Sequence, residues 1–168
     1  MFECSHAHTI YTPDMLSSSR SIFKHAIVSR RDMLLNIFKQ ATRSGAGIVF
    51  ICSDTNSILL LQRSEAVTEP GTWGVPGGSA EGMEKPIETA VREAREELGS
   101  LPQKARLVDE LVNKDNQGEY YIFIMEISDN EKTNFTTNIK LNNESSQFKW
   151  FKLNKIPKNL HSAIRIIR

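Results

Sequence analysis

Three glutamates, Glu93, Glu96 and Glu97, are spaced so that a helix would bring their side chains together on one face. They fall in its last two turns, where the negative end of the helix dipole disfavours anions by roughly 0.3–1 kcal/mol at surface sites. Arg92 and Arg95 offset part of that repulsion. Taken alone, the three carboxylates read as a solvated acidic face. A hard divalent cation, which takes carboxylate oxygens, would turn the same arrangement into a site.

The helix that carries them is predicted over Pro86–Leu98, with Pro86 suited to its first turn and Gly99 to the stop beyond its end. Ile87, Val91, Ala94 and Leu98 fall on a narrow apolar stripe that should dock on a sheet. Upstream, Ala46–Cys52 and Ser57–Gln62 read as a hairpin around Asp54-Thr55-Asn56. Loop signals at 69–72 and 76–78 flank a short strand at Trp73–Val75. Downstream, Ala105–Asn113 and Glu119–Ser128 read as strands around a loop at Lys114–Gly118. Residues 129–143 are polar and Asn-rich and read as an exposed loop, and Gln147–Leu153 as a last strand followed by a short helix.

Read from Gly78, the chain runs Gly, five residues, Glu84, seven residues, then Arg92-Glu93-Ala94-Arg95-Glu96-Glu97-Leu98-Gly99. This resembles the Nudix box, the signature of the Nudix hydrolases, at every glycine, glutamate and arginine of the pattern. Ala94 and Ser100 depart from it, standing where the family usually has larger aliphatic residues, and both are packing positions. The resemblance spans roughly residues 45–157 and includes Trp73-Gly74-Val75-Pro76-Gly77-Gly78, similar to the segment leading into the box in many members.

The resemblance implies a fold, a cofactor and roles. The fold is α/β, a mixed β-sheet sandwiched between helices. The Gly77 carbonyl with Glu93, Glu96 and Glu97 would coordinate Mg²⁺, with Mn²⁺ as a substitute, and Glu144 matches a glutamate that MutT-like members place near the metals. Arg92 would orient Glu93 or Glu96, and Glu84 would brace the loop against the helix. Either Glu97 or Glu144 would take the proton from the attacking water. Arg63, fourteen residues before Gly77, matches an arginine that contacts the nucleotide in MutT-like members. Tyr120 and Tyr121 are adjacent on a strand, so one faces in and one out; Tyr121 is the candidate for stacking on a base.

The implied reaction is cleavage of a pyrophosphate linkage in a nucleoside diphosphate derivative. A nucleoside triphosphate pyrophosphohydrolase releasing a monophosphate and pyrophosphate is the first expectation. Dinucleoside polyphosphates, nucleotide sugars or ADP-ribose, and capped RNA are the alternatives. Lys114 and Asp115 stand where a proline is associated with ADP-ribose cleavage, which counts against that substrate. An inactive nucleotide-binding module is the non-enzymatic alternative, and such members typically lose a box glutamate that this chain keeps.

Composition narrows the partners. The chain has 168 residues, 39% apolar and 24% charged, as expected of a globular protein with one sizeable domain. A net charge of +1 advertises neither nucleic acid nor membrane as a general partner. Two cysteines make no disulfide framework. No run approaches a membrane span of about 18 apolar residues, and no secretory pattern opens the chain, so a cytoplasmic protein is expected. His6 and His8 lack enough neighbouring ligands for a closed metal site. Residues 1–43 read as a polar tail and a mildly basic helical extension, with six basic residues against three acidic. That extension is a candidate for homodimerisation, preceding a catalytic domain over 44–168.

Overall fold

Alternation along the first strand decides how the sheet is dressed. The computed structural model describes residues 43–115 and 118–167, beginning with β1, Arg43–Cys52. Successive side chains of a strand point to opposite faces. Ala46, Ile48, Phe50 and Cys52 therefore join one core, and Val49 and Ile51 another. The helical extension, the tail and its histidines lie outside the described residues.

The chain turns at Ser53–Asn56, where the Asn56 N–H donates to the Ser53 carbonyl at 3.0 Å, and enters β2, Ser57–Arg63. The hairpin is short. Only Ile51↔Ile58 and Cys52↔Ser57 pair before the strands part. Beyond that point Gly45–Gly47 of β1 pairs with β4, Gly77–Ser79, while β2 pairs with β3, Trp73–Gly74, and with β7, Ser145–Lys152. The parting brings the glycine-rich β4 against β1, where the candidate site forms.

On the other side of β1 runs β6, Gly118–Glu126, paired in parallel from Arg43↔Gly118 to Ile51↔Glu126. Antiparallel to β6 lies β5, Arg106–Asp115, whose pairing continues to Asp115↔Gly118. Lys114, Asp115 and Gly118, read from the sequence as loop, are therefore strand residues. The sheet order is β3-β2-β1-β6-β5, with β4 on β1 and β7 on β2, a mixed sheet.

Helical segments cover both faces. Helix α1, Pro86–Leu98, buries Ala90, Ala94 and Leu98 on the first core. Its end is closed by Gly99, at φ 69°, whose N–H donates to the Arg95 carbonyl at 2.9 Å, the left-handed stop that glycine adopts without steric cost. A 3₁₀ segment, Ser162–Ile167, covers the second face through Ile164, beside Leu160, Trp73 and Val75. This is the α/β sandwich expected from the sequence.

One expectation fails. The stretch read as an exposed loop contains helix α2, Asp129–Asn138. Its sequence lacks an apolar stripe because a single side chain, Phe135, is buried, packed edge-on against Phe50 at 5.2 Å between ring centroids. A start signal was present nonetheless: Ser128 caps the helix by accepting from the Glu131 N–H at 3.3 Å. No helix among the described residues is long and apolar enough to cross a membrane.

Candidate active site

The box residues meet where the middle and last turns of α1, strand β4 and the start of β1 come together. Arg92 organises this corner. Its Nε donates to Glu84 Oε1 at 2.8 Å and its Nη2 to Glu84 Oε2 at 3.1 Å, a two-pronged pair that fixes the guanidinium plane. Nη2 also reaches the Ser79 carbonyl at 2.9 Å, tying the helix to β4. Nη1 is left to face the carboxylates, donating to Glu93 at 2.9 Å and Glu96 at 3.3 Å. Glu84 accepts further bonds from Thr89 Oγ1 and the Glu81 N–H, both at 3.0 Å. The Arg92 guanidinium, with these other donors, holds the Glu84 carboxyl down at about 2.

The three box glutamates differ sharply in setting. Glu96 is more than half exposed. The Glu93 side chain is 16% exposed and lies against Gly78, where a Cβ would collide with its carboxylate. Glu97 is only 6% exposed, and its Oε1 accepts from the Gly77 N–H at 2.7 Å. Burial pushes the Glu97 carboxyl up to about 7, Glu144 and Glu93 adding like charge, although the Gly77 bond opposes the shift. Burial raises Glu93 too, against the pull of Arg92. A buried carboxyl displaced this far is a functional-site signal.

Glu144 reaches the same corner by a route its sequence does not show. The chain leaving α2 runs past the C-terminus of α1, where the Lys140 N–H donates to the Leu98 carbonyl at 2.8 Å and the Asn142 N–H to the Glu97 carbonyl at 3.2 Å. Those bonds satisfy carbonyls that a helix end leaves open. The Ser64 N–H then binds the Glu144 carbonyl at 2.8 Å, fixing the residue beside the end of β2.

A cavity of about 480 Å³ opens from these groups. Gly77, Gly78, Glu93, Arg63 and Glu144 line it, and His161 with the start of the 3₁₀ segment, Ser162 to Ile164, supplies a further wall. Arg63, which ends β2, donates from Nε to the Thr68 carbonyl at 2.6 Å and from Nη2 to Thr68 Oγ1 at 3.1 Å.

The tyrosine in the cavity is Tyr120 and not Tyr121, which the sequence analysis singled out. Strand alternation sends Tyr121 to the first core, its hydroxyl donating to Glu119 at 2.6 Å. Tyr120 turns to the opposite face and lines the cavity. Its hydroxyl sits so close to Gly47 and Gly77 that a Cβ on either would collide with it. Burial raises its phenol pKa, with Glu97 and Glu93 adding to the effect. The glycine at alternate positions 45 and 47 was the legible clue, because small residues on one face make room for a large neighbour. His161, Thr68 and Asn113 also line the cavity, and nothing in their local sequence marks them.

Among the described residues no group of three or more His, Cys, Asp or Glu side chains is gathered closely enough to hold an ion by itself. Mg²⁺ does not need such a set, since it keeps several waters and its coordination is completed by substrate phosphates. The donor chemistry fits as well. Glu93 and Glu97 offer hard oxygens, and both are pushed towards neutrality by burial that a cation would relieve.

A family model for the NUDIX domain matches residues 41–167, spanning β1 to the 3₁₀ segment. The chain belongs to the Nudix family. A CMP-5'-(N-acetyl-N-hydroxy-3-aminopropyl)phosphonate hydrolase of Streptomyces rubellomurinus is 37% identical over 62 residues, covering 37% of this chain and 30% of that one. A putative 8-oxo-dGTP diphosphatase 3 of Mycobacterium tuberculosis is 47% identical over 45 residues, 27% of this chain and 21% of that protein. The matches thus span less than a third of these relatives' length. Among solved structures, a MutT NUDIX hydrolase from Burkholderia pseudomallei superposes with a TM-score of 0.56 at 26% identity, covering 74% of this chain and 94% of that one. The Nudix likeness in structure therefore extends well beyond the short stretches that align with these two relatives.

Proposed function

We propose that this Nudix domain hydrolyses a nucleoside triphosphate to a monophosphate and pyrophosphate, using Mg²⁺, for which Mn²⁺ can substitute. The observation that carries the reading is Glu93 in the lining of a nucleotide-sized cavity with the buried Glu97 bonded to the lining residue Gly77 beside it, both carboxyls displaced towards neutrality. Burying two carboxylates in this way is costly unless a cation joins them. The names of the Mycobacterium and Burkholderia proteins, an 8-oxo-dGTP diphosphatase and a MutT hydrolase, support a nucleotide substrate.

In this reading the Gly77 carbonyl, Glu93, Glu96, Glu97 and Glu144 would hold the cation jointly with the substrate phosphates, since these side chains form no closed set by themselves. When bound, it supplies charge neutralisation on the diphosphate, a template for in-line attack and acidification of the attacking water. Arg92 keeps Glu93 and Glu96 turned towards the cavity, and Glu84 keeps Arg92 in place. Glu97 takes the proton from water. Its orientation is fixed by the Gly77 N–H, which favours it over Glu144 for this role. Arg63 meets the substrate phosphates, and Tyr120 offers a ring edge to the nucleoside in place of Tyr121.

Product analysis tests the reading on normal and oxidised nucleoside triphosphates, dinucleoside polyphosphates, ADP-ribose and capped RNA, each with Mg²⁺ and with Mn²⁺. Release of monophosphate and pyrophosphate, abolished by chelation, is the expected result. Orthophosphate as the product, or turnover confined to the other substrates, would replace the triphosphate assignment. No turnover with either metal would return the domain to a nucleotide-binding role. Residues 1–43 are proposed as an appendage that pairs two copies. Comparing the oligomeric state of the full chain with one starting at Gly45 tests that.

A further inference from the structure

That further wall of the cavity is fastened by a residue outside the box. Glu69 lies on the loop between β2 and β3 with φ 52°, a left-handed conformation that costs a non-glycine residue free energy. The loop keeps this geometry with local bonds: Thr72 Oγ1 donates to the Glu69 carbonyl at 2.6 Å, and the Gly71 N–H to the Arg63 carbonyl at 2.9 Å. The Glu69 side chain then crosses to the C-terminal segment. Its Oε2 accepts from the Ser162 N–H at 3.1 Å and its Oε1 from Ser162 Oγ at 2.5 Å. His161 Nε2 stands 3.7 Å away and Arg165 Nη2 3.9 Å. One carboxylate thus gathers His161, Ser162 and Arg165 onto the loop.

Two main-chain bonds run alongside, from the Trp73 N–H to the Asn159 carbonyl and from the His161 N–H to the Trp73 carbonyl, both at 2.9 Å. They anchor the start of the C-terminal segment but stop at His161. From Ser162 onward the bond to the loop runs through Glu69. The same loop supplies Thr68, which holds the Arg63 guanidinium by two hydrogen bonds. Arg63 and Thr68 line the cavity on one side of this junction, and His161, Ser162 and Ile164 line it on the other.

We propose that Glu69 is a positioning residue for substrate binding. Its carboxylate clasps Ser162 to the 64–72 loop, so that Arg63 and the C-terminal segment form one continuous wall against the nucleotide. The proposal rests on the nucleotide reading of the cavity. Glu69 is assigned positioning rather than catalysis because its carboxylate's bonds and ion pairs run to Ser162, His161 and Arg165. Without the clasp, binding would have to order the loop and the 3₁₀ segment afresh, and that cost falls on affinity rather than on the chemical step.

Glu69→Gly separates the side chain from the backbone, since it relieves the left-handed strain while removing the carboxylate. Glu69→Gln is the conservative companion, retaining one acceptor oxygen for Ser162. The readouts are KM and kcat for the triphosphate the wild type turns over, binding of α,β-methylene deoxyguanosine triphosphate with Mg²⁺, and hydrogen exchange at the Ser162 amide. Glu69→Gly is expected to raise KM and weaken probe binding by about 5- to 10-fold, the scale of ordering a few side chains. It should leave kcat within about twofold, since the reacting end is untouched, and expose the Ser162 amide. Glu69→Gln should fall between it and the wild type.

Unchanged KM and probe affinity in an active Glu69→Gly protein would overturn the clasp and leave the hydrolase reading intact. A fall in kcat at constant KM would overturn it as well. A wild type that binds the probe but turns over no nucleotide, with binding still weakened by Glu69→Gly, would sink the hydrolase reading and uphold the clasp.

Discussion

Helices α1 and α2 lie over the same face of the sheet, yet they are held there in opposite ways. Helix α1 buries Thr89, Ala90, Ala94, Glu97 and Leu98, and small side chains let it sit close on β1. Helix α2 buries Phe135 alone. The first is a rigid platform whose polar face carries the box glutamates. The second is a polar helix pinned at one ring, with Lys132 poised over Trp150 and bonded to Thr55 and Ser57. The contrast shows where precision is needed: the carboxylates must be held to within tenths of an ångström, whereas α2 has only to carry the chain round to Glu144. Close backbone approach does the first, and one aromatic anchor suffices for the second.

The largest effect expected from this contrast is catalytic. Glu97→Gln preserves the acceptor for the Gly77 N–H and the packing of α1 but removes the charge. Turnover should fall by on the order of 10²–10⁴-fold, the range for loss of a positioned general base, with the thermal midpoint unchanged or raised. Normal kcat in this variant would take Glu97 out of the role and pass it to Glu144.

Stability is next. Phe135→Ala should cost about 3–5 kcal/mol by removing the one anchor of α2, read as a shift in a denaturant midpoint. Turnover should then drop only as far as Glu144 is displaced. If Phe135→Ala left stability within about 1 kcal/mol, α2 would be held by its polar bonds instead, and the comparison with α1 would fail.

These two helices also mark how far the sequence could be read. The helix of α1, its ends and its carboxylate face were legible because apolar period, Pro86, Gly99 and carboxylate spacing all agree over 13 residues. Helix α2 was not, because periodicity detects an apolar stripe and one Phe makes none. Tyr120 was missed for a related reason: adjacent tyrosines on a strand announce opposite faces without saying which face holds the cavity. That depends on β4 folding back onto Gly45–Gly47, a pairing between residues thirty or more positions apart. Glu69 and His161 are joined only by the tertiary fold, so no local pattern could pair them.

A pH series sharpens the electrostatic half of the comparison. The Glu97 carboxyl rises from an ordinary 4.5 to about 7 on folding, so its contribution to stability is full below about pH 4.5 and is lost as pH rises through 7. Glu93 shifts in the same direction. Glu84 runs the other way: its contribution is present above 4.5 and is lost as pH falls through about 2. Without divalent cation the thermal midpoint should therefore carry a downward component between pH 5 and 8 that Glu97→Gln flattens. Mg²⁺ competes with the proton, so its stabilising effect should be greater at pH 8 than at pH 6. An effect of Mg²⁺ that is independent of pH would argue that Glu97 does not meet the ion.

The smallest expected effect tests α2 at its N-terminal cap. Ser128 accepts from the Glu131 N–H, and Asp129 and Glu131 sit in the first turn where the helix dipole favours anions. Ser128→Ala should cost about 0.5–2 kcal/mol, the usual range for a lost cap. In α1 the corresponding position is Lys85, whose N–H donates to Glu88 at 2.9 Å, and Pro86 presets the turn. Lys85→Ala keeps both of those features, so it should cost less than Ser128→Ala. A helix with one buried side chain depends on its ends, whereas one with a packed face does not. Equal costs at the two positions would mean that the buried face of α1 adds nothing to holding its first turn, and the distinction between platform and pinned helix would have to be drawn elsewhere.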